Sequence, residues 1–451
     1  MSTIKVNTIT KRSGSTLTIG ECGATVQLAT GATQTGFGRT GTVDWCTTAK
    51  TSPFTSVSGK GYFVNTTSGA VTVTLPASPS AGDIVAIKDY ANTFDTNNVT
   101  VGRNGSKING ICADGKLSTE SQSVTLIYVD STKGWQDIHD STSNVTGATF
   151  ISATGGTVTT SGNFKIHTFT GDGCFAVSSV GNPSGSTSVD YLVIAGGGGG
   201  GTRRGGGGGA GGYRFSDGTV SGCYSAGPAP LGATALPVSV QTYPITVGGG
   251  GAGNCSPGAP NPTTQASSGN PSVFSTITSA GGGFGANNTP PSQMNGADGG
   301  SGGGSGGQSG AVKGAGNTPS VTPPQGNPGG QDTRPSPPGE GGGGGGGAGA
   351  AGVDSINANA GNGGAGLTSC ITASPVARGG GGGGGSTSTS PNKGTGGTGG
   401  GGDGGSTTGG DNDGNNGTAN TGGGGGGSAC ASCTTGGTGG SGVVIIRYKF
   451  Q

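Results

Sequence analysis

Residues 196–442 hold 87 of the chain's 111 glycines, and that block limits what the protein can fold into. Roughly one residue in three is glycine there, against an average usage of about 7%. Only six aromatic residues fall inside it: Tyr213, Phe215, Tyr224, Tyr243, Phe274 and Phe284. A backbone so poor in side chains has little with which to build an apolar core. Ordering it also costs on the order of 1–2 kcal/mol per residue. Three arrangements compete. Collagen needs glycine at every third position with abundant proline, and the runs 196–201, 341–347 and 379–385 break that register. A flexible linker is the plainest alternative, but a connection this long, interrupted by strand-like segments, is poorly motivated. The third is a bundle of extended polyglycine helices with about three residues per turn and ~3.1 Å rise, so that six residues reach roughly 19 Å. Such helices have no internal hydrogen bonds, so each N–H and C=O must pair with a neighbour, helped by Cα–H···O contacts. The bundle is the reading adopted. One interior Gly→Leu change separates the two survivors, since it would wedge a lattice apart and leave a linker indifferent.

Within the block, short β-branched segments feed glycine runs: 191–195 into Gly196, 243–247 into Gly248, and 274–280 into Gly281. The two strongest apolar segments, 190–195 and 443–450, bracket the whole block. Pairing them would bring its ends together, at an entropic cost that grows only as the logarithm of loop length. The segments between runs (254–273, 287–297, 311–340, 353–378, 386–393 and 403–421) are rich in Pro, Asn, Ser and Thr. They read as exposed loops on a rigid scaffold, where recognition concentrates. Pro319, Pro323, Pro324, Pro335, Pro337 and Pro338 would pre-order them.

Residues 2–40 alternate Ile, Val and Leu with Thr, Ser and Asn at period two, the mark of short half-buried strands. Residues 1–40 are too short to bury their own apolar face. They read as an attachment or oligomerisation segment, with Ile4, Val6, Ile9, Leu17 and Ile19 as the contacting residues. Residues 41–145 contain strands at 61–64, 70–75, 83–87 and 123–129, separated by Pro, Gly and Asn turns, which predicts a compact β-sandwich or barrel. Trp45 and Trp135 are packing residues of its core or rim. Residues 146–195 add strands, including 164–169, that lead into the glycine block, and 443–451 form a closing strand. The fold class is all-β.

Charged residues make up 9% of the chain and the net charge is +1, which gives no electrostatic drive toward nucleic acid or anionic lipid. No apolar run approaches the ~20 residues that span a bilayer, and the first residues lack a secretory h-region. The chain therefore reads as soluble and made in a cytoplasm. Nine cysteines form no disulfide framework. Cys430 and Cys433 have metal or redox spacing but no companions, and buried thiols are the plainer reading. Glycine-rich nucleotide signatures carry no information in so glycine-rich a chain, and no phosphate loop with its lysine occurs. Gly299-Gly300-Ser301-Gly302-Gly303 fits a nucleophile-elbow pattern without the strand–turn–helix around it. His139 and His167 read as surface or pore-facing polar residues rather than catalysts. Residues 411–417 begin like a calcium loop, but the glycine falls one place late and position twelve is Gly422. No cofactor or metal is expected.

Arg203, Arg204, Tyr213, Arg214 and Phe215 are the one basic and aromatic cluster in the block. They read either as a sugar- or anion-contacting patch or as local packing and solubility. Tyr224, Phe284, Met294 and Arg334 are further receptor-binding candidates.

Three motifs carry a family likeness: Phe169-Thr170-Gly171-Asp172-Gly173, residues 191–201, and residues 439–448 ending in Val443-Val444-Ile445-Ile446-Arg447-Tyr448. Together they resemble the glycine-rich distal domain of tailed-bacteriophage fibres, notably those of marine and cyanobacterial phages. Residues 2–14 and 62–76 are similar to the proximal parts of such fibres. The resemblance implies a homotrimeric virion fibre without enzymatic activity. Its N-terminus would be held by a tail or adaptor protein, and its distal loops would bind a bacterial surface polysaccharide or outer-membrane protein. The alternatives are a purely structural virion decoration and a depolymerase. The latter needs clustered carboxylates in a groove, and the only glutamates are Glu21, Glu120 and Glu340.

Overall fold

The period-two alternation of residues 43–141 resolves into nine strands. They are β1 (Asp44–Lys50), β2 (Phe54–Thr55), β3 (Lys60–Val64), β4 (Val71–Thr74), β5 (Ile84–Asp89), β6 (Val99–Gly102), β7 (Gly115–Leu117), β8 (Ser123–Asp130) and β9 (Gly134–Ser141). The computed structural model describes residues 43–141, 148–182, 185–218, 220, 232–256, 264–333, 341–356, 359–387, 392–407, 410–429 and 434–451. The chain divides into two compact units, Met1–Val145 and Thr146–Gln451.

In the first unit, β1-β3-β5-β8-β9 form one sheet and β2-β4-β6-β7 the other. The first three strands of each sheet run parallel, so each pass of the chain adds one strand to each sheet. Like residues stack from pass to pass: Val71 pairs with Val99 and Val73 with Val101. Strands β7 and β8 then run antiparallel to β6 and β5, and β9 runs antiparallel to β8. Val64, Leu75, Ile87, Phe94 and Trp135 fill the space between the sheets, fully buried. Trp45 lies at the rim, 41% exposed, with its ring 5.0 Å from that of Phe63. The buried Asp89 carboxylate holds the crossover to the second sheet, accepting from the N–H groups of Ala91, Thr93, Phe94 and Ser121 at 3.1–3.2 Å. Neither sheet closes into a barrel.

The second unit begins as two more facing sheets. Its strands are β10 (Ser152–Thr154), β11 (Thr157–Ser161), β12 (Phe164–Phe169), β13 (Gly173–Ser179), β14 (Ser188–Ile194), β15 (Tyr213–Phe215), β16 (Leu236–Pro237), β17 (Thr242–Thr246), β18 (Cys255–Ser256), β19 (Ser272–Phe274), β20 (Ile277–Ser279), β21 (Leu367–Ser369), β22 (Val376–Arg378), β23 (Thr434–Thr435) and β24 (Val443–Lys449). One sheet is β10-β13-β17-β19-β20 and the other β11-β12-β24-β14-β15. The bracketing segments pair as their sequence suggested: β24 lies antiparallel to β14, with Tyr191 opposite Ile446 and Ile194 opposite Val443. Phe175, Tyr191, Phe274, Val444, Ile446 and Tyr448 fill the core between the sheets. On the outer face of the second sheet, Leu192, Ile194, Ile445 and Tyr213 pack with Leu367 and Ile371 of the β21–β22 segment.

His167 corrects the sequence reading. It is fully buried on β12, its Nδ1 2.7 Å from the Gly155 carbonyl oxygen and its Nε2 3.1 Å from the Tyr448 hydroxyl. Strand alternation alone did not show that both faces of this sheet are covered. Burial holds the imidazole pKa below its ordinary value and pushes the Tyr448 phenol up to about 12. A depressed histidine pKa means that the unfolded chain takes the proton more readily. The stabilisation is therefore complete above the unfolded value of about 6.5 and is lost as pH falls below it. The urea midpoint of the second unit should fall between pH 8 and pH 5, and His167→Gln should flatten that fall.

Beyond the sheets the glycine runs form a lattice. In residues 195–201 the donors turn through three directions, one per residue, as a three-fold helix requires. Ala195, Gly198 and Gly201 donate to Gly212, Gly209 and Gly206. Gly196 and Gly199 donate to Asn270 and Ser267, while Gly197 and Gly200 donate to Gly440 and Gly437. The carbonyls of the same run accept from Gly282 and Gly285, from Gly251 and Asn254, and from Gly425 and Ser428. The run thus has six neighbours, with every N–H of residues 195–201 and every C=O of residues 196–201 paired. Residues 205–212, 341–347, 379–386 and 422–429 are enclosed in the same way.

The segments read as loops are in large part outer members of this lattice. Residues 265–270, 312–317, 326–330, 360–366, 393–398 and 412–418 all bond laterally to glycine runs. Their Asn and Asp side chains stand in for the carbonyls of a missing outer neighbour. Asn295 and Asp298 accept from Val312 and Ala315 at 2.9 and 2.6 Å. Asp413 and Asn416 accept from Thr435 and Thr438 at 2.7 and 2.8 Å. The spacing of three is the helix period, and it accounts for the calcium-like look of residues 411–417. Asp413→Ala should cost about 1 kcal/mol and speed amide exchange at Thr435, whereas Asp413→Asn, which keeps an acceptor oxygen, should restore protection.

Candidate functional site

Runs that climb away from the sheets end in a hydroxyl residue: Gly201-Thr202, Gly304-Ser305, Gly385-Ser386, Gly405-Ser406 and Gly427-Ser428. All five are buried, and they meet at one end of the lattice. Gly341 bridges to Ser386 and Ser386 to Ser406. The Ser305 hydroxyl accepts from the Asp332 N–H at 2.8 Å, and that of Ser428 donates to Thr434 at 3.1 Å. A glycine has no side chain with which to end a run. The hydroxyl supplies a short bond that lets the chain leave the lattice without stranding a backbone group.

Beside them sits a buried amide network. Asn287 accepts at Oδ1 from the Thr202 N–H at 3.0 Å and from Asn254 at 3.1 Å, and its Nδ2 donates to Gln293 at 2.7 Å. Thr264 donates to Asn254 at 2.8 Å, closing the network. This end of the lattice, the tip, is therefore pre-ordered by side-chain bonds, which lowers the entropy lost on binding.

The tip gathers some of the predicted contact residues and not others. Arg203 and Arg204 form the turn between the two enclosed runs 195–201 and 205–212, which places them at its centre. Both are half-buried with left-handed backbones, φ 59° and 64°, and the Arg204 N–H donates to the Ser428 carbonyl at 2.9 Å. Met294 follows a short 3-10 turn (Pro291–Gln293) at the same end, and Arg204 and Met294 accept from Gly307 and Gly306. Tyr213, Arg214 and Phe215 are elsewhere. They form β15 at the sheet end of the run, about 25 Å away at the polyglycine rise. Tyr213 and Phe215 are core residues, 2% and 5% exposed with ring centroids 5.6 Å apart, and burial raises the Tyr213 phenol above its ordinary pKa. Arg214 bonds to the Thr278 carbonyl at 3.4 Å. The five residues read as one patch are thus two separate groups. Phe284 is half-buried in the outer run 281–287, on the lattice flank. Tyr224, Arg334, Ile4, Val6, Ile9, Leu17 and Ile19 lie outside the described residues.

Residues 172–449 match the sequence profile of a family described as glycine-rich domain. That span is well over half of the chain. The protein belongs to the glycine-rich domain family. No curated protein matches the chain. The family span opens at Asp172, whose carboxylate accepts from the Val247 N–H at 2.8 Å, and closes at Lys449, the end of β24. It thus takes in the bracketing strand pair and the whole lattice of this glycine-rich protein.

Other features of the glycine-rich domain were missed or misread from sequence. Pro319, Pro323 and Pro324 lie at the sheet end, in a turn folded around Asn317 and the buried Gln325, and Pro335, Pro337 and Pro338 lie outside the described residues. The Gln325 carbonyl accepts from the Tyr213 N–H at 2.8 Å. Ser301 is fully buried inside the run 299–305 and is no exposed nucleophile. Cys430 and Cys433, read as buried thiols, lie outside the described residues, and Cys174 and Cys255 are exposed. At the rim of the tip, Val353, Asp354, Ile356, Asn359, Asn362 and Lys393 line a cavity of about 330 Å³. Its only trace in sequence is two apolar residues, Val353 and Ile356, in a stretch otherwise polar or small.

Proposed function

We propose that this glycine-rich protein is a non-enzymatic fibre of a tailed-bacteriophage virion, which attaches to the host cell through the tip of its glycine lattice. The observation that supports this most is the convergence of many separate runs on one pre-ordered end, with Arg203, Arg204 and Met294 brought together there. A scaffold with its backbone groups paired in every direction holds such loops at fixed positions, as recognition surfaces require. The bracket motifs 191–201 and 439–448 carry the likeness to phage fibres. In this reading three copies assemble, residues 1–40 dock on a tail or adaptor protein, and the receptor is a polysaccharide or an outer-membrane protein. The chain is made in the host cytoplasm and ends in the virion, and its near-zero net charge gives it no electrostatic drive toward nucleic acid.

Deleting residues 196–442 from the virus that carries the chain tests the reading. Intact particles whose adsorption falls to background are expected. Normal adsorption with fragile or missing particles would instead establish a structural decoration.

A further inference from the structure

The cavity at the rim of the tip is formed by three neighbouring segments. Residues 353–356 leave the lattice, residues 359–362 return to it, and residues 392–393 run alongside. The first two are tied by paired bonds, Ile356 N–H to Asn359 O at 3.2 Å and the reverse at 3.0 Å, and by Val353 N–H to Asn362 O at 2.9 Å. The Ala360 N–H donates to the Asn392 carbonyl at 2.8 Å, which fixes the third wall. The cavity therefore rests on lattice bonds, and at about 330 Å³ it lies at the lower end of the ~300–1,000 Å³ range of ligand pockets.

Its chemistry is uncharged in balance. Lys393 pairs with Asp411 at 3.1 Å and Asp354 with Lys313 at 3.9 Å, so neither presents an uncompensated charge. Asp354 also accepts from the Gln331 N–H at 2.7 Å. The Asn362 side chain accepts from the Thr395 N–H at 2.9 Å through Oδ1, which directs its NH₂ group to donate elsewhere. Asn359 is exposed, and its amide offers donors and an acceptor. Val353 and Ile356 are 49% and 55% exposed, the large apolar surface of the rim. Adjacent amide groups beside an aliphatic wall match a pyranose ring, which presents hydroxyls along its edge and C–H groups on its face. Among the described residues an anion would find no uncompensated cation here, and a wholly apolar ligand would strand the amides.

We propose that this cavity is a binding site for a neutral saccharide unit, with Asn359 and Asn362 bonding ring hydroxyls and Ile356 and Val353 packing against the ring face. The proposal rests on the adhesin reading above and gives its receptor a chemical class at this position. Full-length protein would be titrated with the methyl glycosides of glucose, galactose, mannose and N-acetylglucosamine by saturation-transfer NMR, with inorganic phosphate as the anion control. At least one glycoside should bind in the millimolar range. Asn359→Trp, which fills the cavity from an exposed position, and Ile356→Asp should each weaken it at least about tenfold, while amide protection of residues 341–347 stays unchanged. Absence of binding to every glycoside, binding indifferent to both substitutions, or binding of phosphate instead would overturn the proposal. The two readings fail separately. If the full chain blocks particle adsorption and Asn359→Trp blocks it equally well, the adhesin stands and the saccharide site falls. If a glycoside binds the cavity but the chain never blocks adsorption, the site stands and the adhesin falls.

Discussion

Replacing Gly208 with leucine is expected to dismantle the glycine lattice. Gly208 sits in an enclosed run, donating to Gly425 and accepting from Gly382. A β-carbon there would lie 2.1 Å from the Gly198 carbonyl oxygen and 2.6 Å from its carbon. The obstacle is backbone, itself bonded to further runs, so no side chain can swing aside. The same approach distance means that the glycine Cα–H points at a carbonyl, one of the weak contacts that let these helices pack so closely. Overpacking usually costs about 1–3 kcal/mol, and a rigid lattice relaxes less than a core of side chains. The loss should reach at least about 3 kcal/mol and appear as collapsed amide protection in the runs 195–201, 379–386 and 422–429. Gly171→Ala is the control: its β-carbon would meet no atom within 4 Å, and its effect should stay within about 0.5 kcal/mol. Unchanged protection in Gly208→Leu would mean that the runs are not packed.

Ending the chain at Gly442 should have an effect of similar size through a different route. Strand β24 lies inside its sheet, paired with β12 from Val444 to Lys449 on one side and with β14 from Val443 to Arg447 on the other. Its alternate residues enter two cores: Val444, Ile446 and Tyr448 on one face, Val443 and Ile445 on the other. Without it both cores open, His167 loses its Tyr448 partner, and the lattice loses the strand that anchors its last run. Residues 148–442 should then lose cooperative unfolding and protease resistance, while residues 43–141 retain theirs. Calorimetry with limited proteolysis would measure both. Persistence of a cooperative transition in the second unit would show that the lattice holds itself together without the bracket.

Much of the framework could be read directly from residue pattern. Strand β12 coincides with the alternating segment 164–169, and the two apolar segments around the glycine block are neighbours in the sheet. The composition of the block required lateral pairing, because glycine helices have no other way to satisfy their backbone. The parallel winding of the first unit was not legible: period-two alternation gives the faces of a strand but not the direction of its neighbour. The candidate site was less legible still. Arg203 and Tyr213 are ten places apart, a short distance in a compact loop, and an extended run turns that separation into opposite ends of the lattice. Asn and Asp in the segments between runs resembled loop residues, and their spacing of three gains meaning only once an adjacent helix needs an acceptor.

The sequence by itself determined that this protein is all-β, that its glycine runs must bond to one another, and that the strands flanking them must meet. Those conclusions follow from local chemistry: alternation, the missing side chain, and the obligatory pairing of N–H and C=O. Only the tertiary structure decided which runs are enclosed, which polar segments form the outer layer, and which residues share the tip. Those depend on how the helices are arranged across the lattice, and a glycine run looks the same to every neighbour it could choose.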